Sequence, residues 1–598
     1  MRYFNSRRSD CKTPFGAVRA GTAVRFCVRG LDAPDLSLIL IRDGEKGRLT
    51  LLPIEKRGNA FVFEHTFERE GLYFYLFLLP DTTLLARGAD GEGVLCGSRT
   101  DPPLFQQTVY AADYKPAAGF AGGVMYQIFP DRFAVGSGGV LPLGFSERWL
   151  HADRRDTPCY APDETGAVRN LDYYGGNFQG IAEKLDYLRT LGVDCVYLNP
   201  ICESHANHRY NTANYKNPDP LLGSETDFRA LCAAAHGRGV RIVLDGVFSH
   251  TGDDSVYFNK YGTYPGLGAY QSRESEYYSW FKFNRWPDDY VSWWGFASLP
   301  EVREEDPGFE DFICGEGGVI DYWMGLGADG FRLDVADELP DPFIARVRAA
   351  VKRHGADKIL IGEVWEDASN KISYGARRQY LWGRELDSAM NYPFRTAILD
   401  FVRDADAGAF MEAVHGIVEN YPAPMLHTMM NLLSTHDTPR ALNVLAADES
   451  YLTADKTALA GWTLSRDEYL RGVELLKLCF ALQFTLPGIP CVYYGDEIGM
   501  QGFGDPFCRG FMRWDEADEN PRGALRETAL FRERNRDVLA DGDFVPLCAE
   551  NGAVAYLRSN EKGSVFAAVN RGEAPVSVAA PGGRTFVLGP WSAALRRL

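Results

Sequence analysis

A short apolar run of the chain, GFRLDVADE over residues 330–338, carries an arginine and an aspartate two positions apart. Side chains alternate between the two faces of a β-strand, so Arg332 and Asp334 would share one face while Phe331 lies on the other. A charged pair on a buried strand is costly unless its face lines a polar pocket. The segment therefore predicts either a structural salt bridge at a strand end or a carboxylate placed for chemistry.

Further polar side chains stand at the ends of other predicted strands. Asp245 and His250 follow the third strand, Glu363 follows the fifth, and His436 and Asp437 follow the seventh. A single acidic residue at a strand end is usually a helix cap or a solvated charge. Several acids and histidines at the same end of one sheet are not explained in that way, and such carboxylates can act as nucleophiles, acids or bases.

The elements that must position these residues are short apolar strands that alternate with helical patterns. The predicted strands lie within 124–129, 194–199, 240–248, 328–335, 358–365, 431–437 and 490–497, with helices near 179–190 and 225–237. Alternation repeated about eight times predicts a parallel sheet with crossover helices, and at this length a (β/α)8 TIM barrel, whose strand carboxyl ends open on one face. The alternative, an open doubly wound sheet, requires a glycine-rich turn after its first strand, and VMYQIFPDRF lacks one.

Both ends of the chain show a pattern of short apolar segments separated by turn residues, which is typical of short strands. Residues 1–115 predict an N-terminal β-sandwich accessory domain, and residues 540–598 predict a C-terminal β-sandwich. Between them, residues 120–535 form the predicted catalytic barrel. The long aromatic segment 251–310 predicts a subdomain inserted after the third strand. The predicted fold class is therefore α/β, a (β/α)8 barrel with an insertion and two flanking β-sandwiches.

Composition limits the classes of partner and the compartment. The 598 residues include 63 Lys and Arg against 81 Asp and Glu, a net charge of −18, which argues against nucleic acid and anionic membranes as partners. The N-terminus lacks an apolar signal-peptide core, and no apolar run is long enough to span a membrane. None of the 12 cysteines forms a CxxC pair. We therefore expect a cytoplasmic protein with reduced thiols.

Four motifs together resemble those of the α-amylase superfamily of glycoside hydrolases, in its neopullulanase, cyclomaltodextrinase and maltogenic amylase branch. They are DGVFSH (245–250), GFRLDVADE (330–338), GEVWED (362–367) and LSTHDTPR (433–440), and they occur in the order of the family. The surrounding text YQIFPDRF (126–133) and YYGGNFQGI (173–181) is similar to that branch as well. The resemblance covers about residues 120–520. The terminal β regions are similar to the family only in their pattern of short predicted strands.

The resemblance implies a role for each polar residue at the strand ends. Asp334 is implied as the nucleophile, Glu363 as the general acid/base and Asp437 as a third acid that binds sugar hydroxyls. Arg332 would keep Asp334 ionised and oriented. The further substrate-binding residues that it implies are Tyr210, Asp245, His250, Trp365 and His436. Tyr210 would be a stacking platform beneath the sugar, with plain packing as the alternative.

The activity implied is retaining hydrolysis, in which two carboxyl groups lie about 5–5.5 Å apart. The expected substrates are α-1,4-linked, and possibly also α-1,6-linked, α-glucans such as cyclodextrins, pullulan or maltodextrins. Two alternatives stay open: an enzyme that mainly transfers glycosyl groups, and a non-catalytic amylase-like binding subunit. The presence of all three acids disfavours the second.

The chain departs from the branch where relatives often bind calcium. Asn177 stands where aspartate is common, and the loop after YQIFPDRF reads AVGSGGVLPLG, without acids. Because calcium needs several converging carboxylates and carbonyls, we expect no metal site and no cofactor. Ser249 stands where the family usually has asparagine. Glu366 stands where the branch often has histidine, near the part of the site that would bind the acceptor sugar. The N-terminal domain of this branch often contributes to a homodimer, which we expect here; a simple stabilising role is the alternative.

Overall fold

The centre of the molecule is an eight-stranded parallel sheet in a computed structural model that describes residues 3–97, 101–164 and 166–598. Its strands are β1 (Met125–Ile128), β2 (Cys195–Leu198), β3 (Arg241–Gly246), β4 (Gly330–Leu333), β5 (Ile359–Gly362), β6 (Ser388–Ala389), β7 (Met430–Leu432) and β8 (Ile489–Tyr493). Strands β1 to β6 pair in chain order, and β1 also pairs with β8. A parallel bridge between Met390 and Met430 joins β6 to β7. The sheet is therefore a nearly closed barrel, and the predicted TIM barrel is confirmed.

Strand β6 is the one barrel strand that the sequence did not predict. It spans only Ser388–Ala389, which is too short for a two-residue periodicity to be recognised. Its position is set by tertiary hydrogen bonds, since the Ser388 hydroxyl donates to the Thr428 carbonyl over 2.6 Å.

Helices follow the strands and cover the outside of the barrel. They are Pro130–Phe133, Phe178–Glu183, Leu185–Thr190, Glu225–His236, Pro307–Cys314, Val319–Leu326, Asp341–Arg353, Tyr392–Asp404, Ala407–Asn420, Ala423–Leu426, Ala441–Ala446, Lys456–Gly461, Arg466–Gln483, Glu519–Arg534 and Arg536–Leu539. The helix predicted near 179–190 is two helices separated at Lys184. The helix Glu225–His236 begins with a capping box, in which Ser224 and Asp227 satisfy each other's backbone N–H groups. Within the described residues, none of these helices is both long and apolar enough to cross a membrane.

Alternation along the strands separates the barrel interior from the helix layer. Tyr197, Val243 and Ile361 belong to the interior cluster, whereas Leu244 and Phe331 pack in the core that includes the helices. In the sheet register, Asp245 of β3 pairs with Arg332 of β4, and Arg332 pairs with Ile361 of β5. The alternation that places one set of apolar side chains inside the barrel therefore also turns the side chains of Asp245 and Arg332 into it.

The N-terminal region forms two packed sheets. Its strands are Lys12–Thr13, Val18–Arg19, Thr22–Val28, Ser37–Arg42, Leu49–Leu51, Glu55–Arg57, Ala60–Phe67, Gly71–Leu78, Leu84–Arg87, Gly93–Cys96 and Phe105–Tyr110. Side chains from both sheets share one core, in which the rings of Phe26 and Tyr75 meet at 5.1 Å. This arrangement confirms the predicted N-terminal β-sandwich.

The C-terminal region contains a four-stranded sheet and a hairpin. The sheet is built from Asp543–Glu550, Ala553–Asn560, Gly563–Asn570 and Ser592–Arg597, and the hairpin from Val576–Ala580 and Arg584–Leu588. The stacked rings of Phe566 and Phe586 lie in their shared core. The second predicted β-sandwich is confirmed in this form.

The segment between β3 and the helix Pro307–Cys314 carries little regular structure. It contains a hairpin of Phe283–Arg285 and Asp289–Tyr290 and two 3-10 turns, Tyr278–Trp280 and Trp293–Gly295. An aromatic cluster around Phe258 holds it together. The backbone pairing of His250 with Glu301 brings the end of this excursion back to the carboxyl end of β3.

Candidate active site

Arg332 lies at the centre of a buried group of carboxylates. Its Nη1 is 2.7 Å from Asp245 Oδ1 and 2.8 Å from Asp334 Oδ1, and its Nη2 is 2.8 Å from Glu363 Oε2. The arginine side chain has no solvent exposure. Because β3, β4 and β5 are neighbours in the barrel, one guanidinium reaches an acid from each of the three strand ends. A single cation cannot neutralise three ionised carboxylates.

This charge balance changes the protonation of Asp334. Burial raises the pKa of the Asp334 carboxyl well above its ordinary value, and Glu363 and Asp245 raise it further, whereas Arg332 lowers it. Burial also raises the pKa of Asp245, again with Arg332 opposing. Arg332 therefore opposes the rise in the pKa of Asp334 without cancelling it. Asp334 and Asp245 therefore retain a proton more readily than isolated acids do.

Two N–H groups donate hydrogen bonds to Glu363, which also forms an ion pair with Arg332. The backbone N–H of Val335 donates to Oε2 over 2.8 Å, and the indole N–H of Trp365 donates to Oε1 over 3.0 Å. Val335 has φ +38° and ψ +59°, a left-handed conformation that is costly for a β-branched residue. Backbone strain directly after Asp334 thus aims an N–H group at the neighbouring carboxylate.

Trp365 lies at the rim of the site. Its ring stacks on Tyr392 with a centroid distance of 4.0 Å and an angle of 11°. Tyr392 is buried, whereas 47% of Trp365 remains exposed. A rigid apolar face is therefore available beside the Glu363 carboxylate.

Tyr210 and His436 connect the carboxylates of different strands. The Tyr210 hydroxyl donates to Asp245 Oδ2 over 2.9 Å and also contacts His436 Nε2. The two rings are nearly parallel, at 9°. His436 Nδ1 lies 3.0 Å from the amide nitrogen of Gln127 on β1. Burial lowers the pKa of His436 well below its ordinary value, so its imidazole is neutral near pH 7.

Asp437 lies beside His436 and faces open space. Its Oδ2 is 3.2 Å from His436 Nε2, and 35% of its side chain is exposed. Arg509, from the loop after β8, donates to Asp437 Oδ1 over 3.1 Å and is itself 2.6 Å from Asp505. Arg509, which lies in a loop, therefore orients the predicted third acid.

His250 has one satisfied and one unsatisfied ring nitrogen. The Ser249 hydroxyl lies 2.9 Å from Nδ1, so the serine that replaces the usual asparagine still supports the ring. Nε2 is buried and has no hydrogen-bond partner among the described residues. Burial lowers the pKa of His250 to about 4, which keeps it neutral near pH 7. A buried imidazole nitrogen without a partner is suited to a ligand hydroxyl.

The structure brings all nine sequence-predicted residues to the carboxyl ends of the barrel strands and their loops. It also adds residues that the sequence analysis missed: Gln127, Tyr197, Asn199, His208, Asp505 and Arg509. Tyr197 donates to Asp245 over 2.6 Å. Gln127 and Tyr197 lie on predicted strands with the inward parity, so alternation could have found them. Arg509 lies in a loop, where no periodic signal exists.

The residues where the branch often binds calcium do not fit that ion. Asn177 Oδ1 accepts hydrogen bonds from the N–H groups of Gly136 and Gly180, at 3.1 and 2.8 Å. Its Nδ2 donates to the Gly139 carbonyl over 3.1 Å. The side-chain oxygen of Asn177 is therefore satisfied by N–H donors and not left open to a cation. Within the described ranges, no group of three or more His, Cys, Asp or Glu side chains could hold a metal ion.

Comparison with known proteins agrees with this geometry. The α-amylase catalytic domain ("Alpha amylase, catalytic domain") matches residues 127–537. The amylopullulanase of Thermoanaerobacter thermohydrosulfuricus is 33% identical over 93% of this chain, and the chain spans 40% of the length of that relative. A cyclomaltodextrinase of a Bacillus species is 31% identical over 77% of this chain and 75% of its own length.

A solved structure also matches the whole chain. The type III pullulan hydrolase from Thermococcus kodakarensis superposes with a TM-score of 0.69, at 25% identity and with 100% of both chains covered. The likeness thus includes the terminal sheets as well as the barrel. Both the matched catalytic domain and the architecture place this protein in one family: the chain belongs to the α-amylase family of glycoside hydrolases.

Proposed function

We propose that this protein hydrolyses α-1,4-glucosidic bonds, and α-1,6 bonds as well, with retention of the anomeric configuration. The observation that carries the proposal is the contact of one guanidinium, that of Arg332, with Asp245, Asp334 and Glu363. The shared cation holds the Asp334 and Glu363 carboxylates close together, and the retaining mechanism uses a pair about 5–5.5 Å apart.

In the proposed first step, an oxygen of Asp334 attacks the anomeric carbon while Glu363 gives its proton to the departing glycosidic oxygen. A covalent bond to Asp334 forms as the glycosidic bond breaks. In the second step, Glu363 removes a proton from water, which attacks the same carbon and releases Asp334. The product keeps the α configuration, and both carboxyl groups return to their starting state.

The charge balance of the site supports the retention of one proton among the acids. The reaction starts with one proton in the acid cluster and with that proton on Glu363. Burial raises the pKa values of Asp334 and Asp245, and the charges of Glu363 and Asp245 raise that of Asp334 further, which favours keeping one proton in the group. Arg332 then stabilises the ionised Asp334, to which it donates over 2.8 Å.

The neutral ring nitrogens and Asp437 are proposed to bind the sugar at the cleavage point. His250 offers the unpartnered Nε2, and Asp437 keeps an exposed carboxylate that Arg509 orients. Tyr210 would lie beneath the sugar, and Trp365 beside the leaving group. These contacts grow stronger as the ring distorts toward the transition state.

The names of the relatives indicate which substrates to test first. They are described as an amylopullulanase, a cyclomaltodextrinase and a pullulan hydrolase. We therefore propose cyclodextrins, pullulan and maltodextrins as substrates, with transfer to a second sugar as a side reaction when a hydroxyl replaces water.

A product profile tests the proposal. The purified protein is incubated with β-cyclodextrin, pullulan, maltotriose and soluble starch, and the anomer formed first is read by proton NMR. We expect α-anomeric products that Asp334→Asn abolishes and that the surface control Asp400→Asn leaves unchanged. Initial β products would contradict retention. Activity that survives Asp334→Asn at the wild-type rate would contradict the assignment of the nucleophile.

We also propose that the protein is cytoplasmic and forms a homodimer through its N-terminal sheets. The 12 cysteines are all unpaired, which supports a reducing compartment. Leu52 and Ile54 of the N-terminal region are 66% and 62% exposed, which supports an interface there. Sedimentation equilibrium should give twice the chain mass for the wild type and the chain mass for a Leu52→Asp, Ile54→Asp variant. A monomeric wild type would contradict the dimer.

A further inference from the structure

The loop between β5 and β6 connects the reaction centre with the N-terminal region. It begins at Glu363, the proposed acid/base, to which the indole N–H of Trp365 donates over 3.0 Å. Two positions after Trp365 the loop reaches Asp367, and at Ser369 it contacts the N-terminal region. The proposed acid/base is therefore six positions along the chain from a contact with another domain.

Gln106, in the N-terminal strand Phe105–Tyr110, holds this loop with both ends of its side-chain amide. Its Nε2 donates to Ser369 Oγ over 2.8 Å, and its Oε1 accepts a hydrogen bond of 2.9 Å from Asn370 Nδ2. Nε2 also donates to Thr108 Oγ1 of the same strand over 3.1 Å, which fixes the orientation of the amide. Because Ser369 is only 1% exposed, water does not readily replace this partner.

Asp367 is the centre of a hydrogen-bond network that closes the loop. Ser369 donates to Asp367 Oδ1 through its N–H group at 2.9 Å and through its hydroxyl at 2.6 Å. Asn420 donates to Asp367 Oδ2 over 3.2 Å, and the N–H group of Ala368 donates to the Tyr421 hydroxyl over 2.8 Å. Ser369 therefore belongs both to this network and to the contact with the N-terminal region.

Other parts of the N-terminal region reach the same network. Arg377, further along the loop, donates to Asp43 Oδ2 over 2.8 Å and also to the carbonyl of Asn370. Arg7 lies 3.0 Å from Glu419, and both of these side chains are 5% exposed. Glu419 directly precedes the asparagine that binds the network. Contacts from separate strands and from the N-terminal segment thus converge on one short stretch of the loop.

We propose that the N-terminal region positions the acid/base loop of its own chain, with Gln106 as the positioning residue. The network fixes the chain just after Trp365, whose indole N–H holds Glu363. Without Gln106, Ser369 and Asn370 lose a partner, and the loop gains freedom where the acid must meet the departing oxygen. The inference rests on the proposed role of Glu363 and gives the N-terminal region a part in the reaction.

The first test compares two substrates that differ in their need for the acid. Gln106→Ala should lower kcat/KM for maltotriose by about tenfold, because small displacements of a catalytic group have large effects on the rate. The value for 4-nitrophenyl α-maltoside should change by less than about twofold, because its leaving group departs without protonation. Asp43→Ala, which releases Arg377, should change the ratio of the two values in the same direction.

Arg384→Ala is the matched control at the same domain interface. Arg384 lies in the same loop and contacts Glu70 at 3.1 Å and Asp113 at 2.9 Å, but its side chain is 51% exposed. Its loss removes none of the hydrogen bonds described above, so the substrate ratio should stay at the wild-type value. Less folded protein would lower both kcat/KM values equally. Equal losses on the two substrates in Gln106→Ala, or an unchanged ratio, would therefore overturn the positioning role.

Hydrogen exchange tests the inference without any glucan. Mass spectrometry of peptides that span residues 364–370 reports on the N–H groups of Ala368 and Ser369, which donate to Tyr421 and Asp367. Exchange should be faster in Gln106→Ala than in the wild type or in Arg384→Ala. Equal exchange would overturn the positioning role while hydrolysis stands. A wild type that is inactive on every glucan, with faster exchange in the variant, would overturn the hydrolysis and leave the coupling in place.

Discussion

Arg332 donates a hydrogen bond of 2.8 Å to Asp334, two positions further along the same polypeptide segment, while its second terminal nitrogen lies 2.8 Å from Glu363. A planar guanidinium can make both contacts and also reach Asp245, because its donors point in fixed, different directions. An ammonium group presents one point charge at the end of a flexible chain. A lysine at this position would therefore not reproduce the contacts of Arg332, although both side chains carry one positive charge.

Replacing Arg332 by lysine should lower kcat by about 10²-fold or more, because the lysine cannot orient three carboxylates at once. Steady-state kinetics on β-cyclodextrin measure the effect. Arg346→Lys, at an exposed arginine that pairs with Glu310, should behave as the wild type. Arg332→Ala should also lower the free energy of unfolding by about 3–5 kcal/mol, because it leaves buried carboxylates without their cation. Near-normal kcat in Arg332→Lys would show that the fork geometry is not needed.

Glu363→Gln should remove the acid/base and lower kcat on unactivated glucans by about 10²–10⁴-fold. Substrates with a good leaving group, such as 4-nitrophenyl α-maltosides, need no protonation in the first step, so their initial burst should persist. Added azide should restore turnover by replacing the water that Glu363 activates. Glu474→Gln, at an exposed glutamate that pairs with Lys477, provides the control. An equal loss on activated and unactivated substrates would argue against this role.

Buried histidines should make the protein lose stability as the pH falls from about 6.5 to about 4. Burial lowers the pKa values of His250, His415 and His427 to about 4, below the unfolded value of about 6.5. In this window the unfolded chain binds protons that the folded chain excludes, so their contribution is complete above pH 6.5 and is lost on acidification.

His427→Gln isolates one of these contributions, since buried carboxyls with raised pKa values act in the opposite direction. The slope of unfolding free energy against pH reports how many more protons the unfolded chain binds than the folded chain. Between pH 4 and 6.5 this number should be smaller in the variant than in the wild type by up to one proton. Urea titrations at several pH values measure it. Parallel plots would mean that His427 is not held neutral.

Chelation should leave the protein unchanged, because the side chain of Asn177 holds the loop after β1 through hydrogen bonds to Gly136 and Gly139. We expect EDTA to alter neither Tm nor kcat. Asn177→Ala should lower the free energy of unfolding by about 1–2 kcal/mol, through loss of the helix cap and of the bonds to Gly136 and Gly139. Asn284→Ala, at an exposed asparagine, should have little effect. A fall in Tm with EDTA that calcium reverses would contradict this account.

Much of the site could be predicted because it follows the periodicity of strands. Asp245, Arg332 and Asp334 come at or just after apolar runs whose alternation sets which side chains point inward, and parallel strands bring their carboxyl ends to one face. Glu363 follows β5 directly, and His436 and Asp437 come four and five residues after the end of β7. Local sequence was sufficient for these residues.

What the sequence by itself determined is the barrel, the flanking sheets and the acids at the strand ends, since these depend on periodic burial along short segments. Only the tertiary structure decided that Arg509 orients Asp437, that Val335 adopts a left-handed conformation to reach Glu363, and that β6 is a two-residue strand. Contacts between loops that are far apart in the chain leave no periodic trace. The protonation of Asp334 likewise depends on Asp245 and Glu363, which come from other strands and whose charges meet only when the barrel closes around one arginine.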